Sequence, residues 1–159
     1  MKKLIFPTIV LILGLGLFQA TLKPADPVDI IDTATANGLT EFVAAVATSD
    51  LTDSAKGKGP FTVFVPNNAA FTAAGLAKTR DAMRPVIKFH VVPGKEILKD
   101  QLKAERLETI EGNKLEVLSA TQVKGQNETA TIQNSLKCSN GVIHVIDKVL
   151  TPTKMDAVE

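Results

Sequence analysis

An α+β domain is the fold this chain predicts, and two observations predict it. Helix-spaced apolar residues crowd the first half, while β-branched runs bounded by turns crowd the second. A third observation places the core. Gly141 to Leu150 (GVIHVIDKVL) is apolar on both faces of a strand, with Val142, Ile146 and Leu150 on one and Ile143, Val145 and Val149 on the other. Such a strand belongs in the middle of a domain, not on its rim.

The first residues stand apart from the domain. Met1, Lys2 and Lys3 precede an apolar run from Leu4 to Phe18, and the small residue Ala20 follows. This is the pattern of a secretory signal, assigned to residues 1–22, which is either cleaved or kept as a short anchor. The run is shorter than the roughly 20 residues of a bilayer-spanning helix. After a polar, proline-containing linker, one domain is expected over residues 26–153.

Within that domain, Asp26 and Pro27 are placed to start a helix that stops at Asn37-Gly38. A second helix follows from Leu39, Phe42, Val43 and Val46, which recur at i, i+3, i+4 and i+7. A helical turn at Leu51 to Ala55 ends in the turn Gly57-Lys58-Gly59-Pro60. Phe61 to Val65 (FTVFV) reads as a strand closed by Pro66, and Asn67 or Asn68 can cap the helix beyond. More helix is expected between Thr79 and Phe89, with Pro85 forcing a new start or a kink. Pro93-Gly94 is a turn. Leu107 to Ile110 and Lys114 to Leu118 flank Glu111-Gly112-Asn113 as a hairpin, and Thr129 to Gln133 is a further strand.

Composition narrows the function classes. The 18 basic and 17 acidic residues nearly balance, which gives nucleic acid or anionic lipid nothing to hold. Lys99, Lys103 and Arg106 alternate with Asp100, Glu105 and Glu108, as on a solvated face. The single cysteine, Cys138, permits no internal disulfide and reads as a small buried apolar residue. Two histidines, His90 and His144, are too few and too far apart in sequence for a metal centre, and no cofactor is expected. His144 and Asp147 fall on opposite faces of one strand, and no G-x-S-x-G elbow or phosphate-binding glycine loop is present. Asp29 and Asp32 share a solvated helix face, and Asn127-Glu128-Thr129 is a chance sequon. Catalysis is not expected. The chain has no tryptophan or tyrosine, so tight binding on an aromatic anchor is not expected either, and weak, multivalent contact suits it better.

Three segments resemble the signatures of the fasciclin-domain family, in that family's order. FTVFVPNNAAF (Phe61 to Phe71) is similar to the first signature, KFHVVPGK (Lys88 to Lys95) to the tyrosine–histidine motif, and SNGVIHVIDKVLTP (Ser139 to Pro152) to the second signature. The opening DIIDTATANGLTEFVAAV fits as well, so the resemblance covers nearly all the chain after the signal. Phe89 stands where the family often has tyrosine.

The resemblance implies a wedge of two β-sheets with several helices packed around one side. It also implies adhesion or interaction at or outside the cell surface, with cell-surface or matrix components, protein or other polymer, as partners. The chain is then secreted, periplasmic or surface-associated, and meets a membrane only through residues 1–22. The contact region it implies is Phe89, His90, Val91 and Val92. Asn68, His90 and His144 are its structural motif, with His90 hydrogen-bonded to Asn68 and His144 a satisfied core residue. The second expectation is a carrier of a small apolar ligand, suggested by a composition rich in aliphatic and poor in aromatic residues.

Overall fold

The computed structural model describes residues 28–152. The expected signal at residues 1–22, the cap at Asp26 and Pro27 and the end of the domain at residue 153 lie outside them.

Two of the early helices start where a side chain can receive their first amides. Helix α1 (Ile30–Ala36) is capped by Asp29, which accepts from the amide of Asp32 at 2.9 Å. It ends at Asn37, followed by Gly38 at φ 73°, a backbone conformation that glycine adopts without cost. Helix α2 (Thr40–Thr48) buries Phe42, Ala45 and Val46, and α3 (Thr52–Ala55) is a single turn. Strand β1 (Phe61–Pro66) leads into α4 (Asn68–Ala74), which is capped by Asn67 through the amide of Ala70 at 2.8 Å. Helix α5 (Arg80–Phe89) runs through Pro85 as one element, without the expected new start. Strand β2 (Val91–Pro93) follows it directly.

The remaining strands are β3 (Glu105–Glu108), β4 (Lys114–Ser119), β5 (Gln122–Lys124), β6 (Thr129–Cys138) and β7 (Gly141–Ile146). The hairpin at Gly112 is present, although its first strand lies two residues earlier than expected and β7 stops at Ile146 instead of Leu150. All seven strands hydrogen-bond in one continuous order, β2-β1-β7-β6-β5-β4-β3, where the resemblance implies two sheets. Two features bend that run toward closure. The long strand β6 pairs with β7 along its second half and with β5 along its first, with an irregularity between Ile132 and Asn134. The two ends of the order then meet where the amide of Ile110 donates to the carbonyl of Val91 at 2.9 Å.

Strand β7 lies between β1, to which it is parallel, and β6, to which it is antiparallel. Its two apolar faces serve two cores. Ile143 joins Val63 and Val65 of β1 against α1, α2 and α5. Ile146 joins Phe64, Phe89, Leu107, Leu115 and Leu150 inside the curved sheet. The fold is α+β, with helices covering one face of the sheet.

Candidate functional site

The corner between α5 and β2 is built around His90. Its backbone amide closes the helix on the carbonyls of Val86 and Ile87, and its own carbonyl accepts the amide of Phe64 at 2.9 Å. The ring is fully buried, and both nitrogens are engaged. Nδ1–H donates to the Val86 carbonyl at 2.7 Å, and Nε2 accepts the amide of Leu150 at 3.0 Å. A carbonyl can only accept and an amide can only donate, so these partners fix one neutral tautomer. Burial lowers the pKa of this ring to about 4, and the bond to Val86 raises it only in part.

Asn68 is therefore not the partner of His90. Its Nδ2 donates to the Gly38 carbonyl at 2.9 Å and its Oδ1 accepts the amide of Glu41 at 3.1 Å. Asn68 thus ties the start of α4 to the start of α2, whose own N-cap residue, Leu39, has no side chain able to cap. Of the expected contact residues, Phe89, His90 and Val92 are buried, and only Val91 is partly exposed.

His144 is buried opposite Ser135 in the β6–β7 register. The Ser135 hydroxyl donates to Nδ1 at 2.7 Å, Nε2–H donates to the Ile97 carbonyl at 2.8 Å, and the ring stacks on Phe64 at 5.3 Å. Desolvation lowers the pKa of His144 as well. Asp147 serves the strand edge instead, where it accepts the amide of Thr131 at 2.7 Å. Cys138 is buried, which raises its thiol pKa. Among the described residues, no group of three His, Cys, Asp or Glu side chains is placed to hold a metal.

Asn140 is a structural residue that sequence reasoning misses. In the turn between β6 and β7, its Oδ1 accepts the amide of Ile30 at 3.1 Å, while Nδ2 donates to the carbonyls of Ala55 and Gly57, each at 2.9 Å. One side chain thus joins the start of α1, the end of α3 and the central strand. Two glycines let the chains come this close. A Cβ on Gly59 would lie 1.9 Å from the Asn140 carbonyl oxygen, and one on Gly141 2.1 Å from that of Phe61. In a sequence, Asn140 reads only as a turn residue before glycine, and its partners lie 83 and more positions away.

Beside this junction lies an apolar cavity of about 250 Å³, between α1, α2, α3 and α5 and the strands β1 and β2. Phe42, Val46, Leu51, Ile87 and Val91 line it, with Arg84 and Lys88 from one side of α5. Among the described residues, no carboxylate lines it. Ile110, one of the few exposed large apolar residues, stands between this cavity and a shallower groove along β2 and β3.

The family model for the fasciclin domain matches residues 37–152, almost all of the described chain. The chain belongs to the fasciclin-domain family. A protein of Synechocystis sp. designated sll1483 is 36% identical over 132 residues, covering 77% of this chain and 73% of that one. Human periostin is 27% identical over 147 residues, covering 87% of this chain and 18% of that one. Rat stabilin-2 is 36% identical over 104 residues, covering 62% of this chain and 7% of that one. Among solved structures, a FAS1 domain pair from the insect cell adhesion molecule Fasciclin I superposes with a TM-score of 0.62 over 72% of this chain and 46% of that one, at 20% identity. The fasciclin fold is thereby established for this chain.

Proposed function

We propose that this fasciclin domain is exported and works as a non-enzymatic interaction module at or outside the cell surface. The observation that carries the proposal is the fold it shares, over 72% of its length, with a domain pair from an insect cell adhesion molecule. The secretory pattern in residues 1–22 supports it. Its partners are surface or matrix components, protein or other polymer, engaged weakly and in many copies.

The burial of Phe89, His90 and Val92 moves the contact point outward within the same corner. Val91 and Ile110, joined through their backbones, present apolar surface there, and Ile110 is 40% exposed. Isolated apolar residues are ordinary on a surface, but one set between two concavities is a fitting anchor. The test is binding of residues 24–159, displayed in many copies, to the producing organism's cells and extracellular material. Saturable binding that falls in a folded Ile110→Asp variant supports the reading. Absence of binding by the wild type in multivalent form removes it.

The apolar cavity supports a second reading, a carrier of a small apolar ligand. Ligand recovered with the purified protein in native mass spectrometry is the observation that favours it over adhesion.

A further inference from the structure

We propose that the cavity beneath α5 binds a small organic acid of about ten non-hydrogen atoms, an apolar body bearing one carboxylate, with the charge held by Arg84 and Lys88. The proposal rests on the carrier reading of that cavity and adds the charge and the size of what enters.

Charge is the first argument. Arg84 and Lys88 stand one turn apart on α5, both half-buried and both lining the same apolar cavity. Like charges at i and i+4 repel, and partial burial removes some of the water that would screen them. A carboxylate nearby would relieve both effects, yet among the described residues the lining contains none. Some cations elsewhere have such partners, as Lys56 has Asp29 and Asp32, Lys78 has Glu41 and Arg80 has Asp50, and unpaired lysines such as Lys58, Lys103 and Lys114 are exposed to water. Among the described residues, neither Arg84 nor Lys88 has an ion-pair partner within 4.0 Å. Two cations without counter-ions, set into an apolar wall, are complementary to an anion with an apolar body.

Size is the second argument. A cavity of about 250 Å³ exceeds the roughly 150 Å³ that accommodates benzene and falls short of the roughly 300–1,000 Å³ of drug-sized sites. At the roughly 25 Å³ per non-hydrogen atom that benzene in such a cavity implies, it takes about ten such atoms, the number in octanoate. A medium-length aliphatic acid or a small aromatic acid fits, and a long-chain or two-chain lipid does not.

The experiment titrates the purified, isotope-labelled chain with sodium octanoate, and separately with 1-octanol and octyltrimethylammonium, whose alkyl tails are one methylene longer. Amide shifts locate binding and calorimetry measures it. The expected result is saturable binding of octanoate with shifts at Val46, Leu51, Ile87 and Val91, about tenfold tighter than octanol and weakened by added salt. Arg84→Gln and Lys88→Gln, both at half-exposed positions, should each weaken octanoate about fivefold and leave octanol unchanged. Octanol binding as tightly as octanoate overturns the acid and leaves the carrier reading standing. No saturable shift with any of the three overturns both. Concentration-dependent dimers that shift the same amides and resist octanoate would put a second copy of the chain in the cavity, and they too overturn the proposal.

Discussion

His90 accepts the backbone amide of Leu150 through Nε2 at 3.0 Å, across 60 residues of sequence. That one bond joins the C-terminal end of α5 to the segment that follows β7, at a point where water does not reach. Protonating the ring would set an N–H against the N–H of Leu150, so the proton is excluded from the folded state. His144 is placed more tolerantly, since the Ser135 hydroxyl can turn to accept.

Acid should therefore weaken the fold through His90. Its pKa is 6.5 when unfolded and about 4 when folded, so between those values the unfolded chain binds more protons. Stability is full above pH 6.5 and declines as pH falls toward 4, by about 3 kcal/mol from this ring alone. His144 adds to the loss in the same direction. Urea denaturation at a series of pH values measures the slope. A flat profile through this window would contradict a buried ring that excludes the proton.

Asn140→Ala should cost about 2–4 kcal/mol, because it leaves the amide of Ile30 and the carbonyls of Ala55 and Gly57 without their partner. Asn140→Asp keeps the acceptor for Ile30 but turns a carboxylate toward two carbonyls, and should be no milder. Denaturant midpoints compared at a common m-value check both.

The glycines should separate into two classes. Gly141→Ala places a Cβ against the Phe61 carbonyl at the centre of the sheet, where backbone must shift, and should cost about 3 kcal/mol or abolish soluble expression. Gly38→Ala meets open space and suffers only from its positive φ, so about 1 kcal/mol is expected. Thermal melts of the two variants side by side give the comparison.

Cys138 should behave as a buried thiol. The native chain is expected to react with a thiol reagent at least about tenfold more slowly than the unfolded chain, since burial both shields the sulfur and disfavours its thiolate. Rapid labelling of a folded sample would place the cysteine at the surface.

What is legible in the sequence is what its local chemistry determines. The cap at Asn67, Gly38, β1 and the central place of β7 all follow from neighbours within a few residues or from alternation along one run, whereas the first helix is capped by Asp29 where the sequence offers Asp26. Short strands are illegible for the converse reason. β2 and β5 have three residues each, too few to show a period, and they form because a longer strand lies alongside. Strand β6 outruns its expected end at Gln133 because Gln133, Asn134 and Lys137 face solvent and hide the alternation.

The site is harder to read, since its determinants are pairings across the chain. A histidine beside three apolar residues announces burial but not its partner, and the partner proves to be backbone at Val86 and Leu150 instead of the Asn68 side chain. The contact expected at Phe89 and His90 falls on residues that the fold packs inward, whereas Ile110, distant in sequence from that motif, comes to lie beside Val91. Arg84 and Lys88 show in the sequence as an i, i+4 spacing. Its meaning depends on which carboxylates surround it, and that only the folded chain reveals.

The place of β7 has a consequence for when this protein can fold. Residues 61–66 pair with residues 141–146, and the strand that separates β1 from β6 is the last to be made of the seven. A ribosome must finish it before the centre of the sheet exists, and pairing across so long a loop is slow compared with helix formation. Until then the helices have no completed sheet to rest on. Under the export proposed above, that delay would bring the chain to a translocation channel still unfolded.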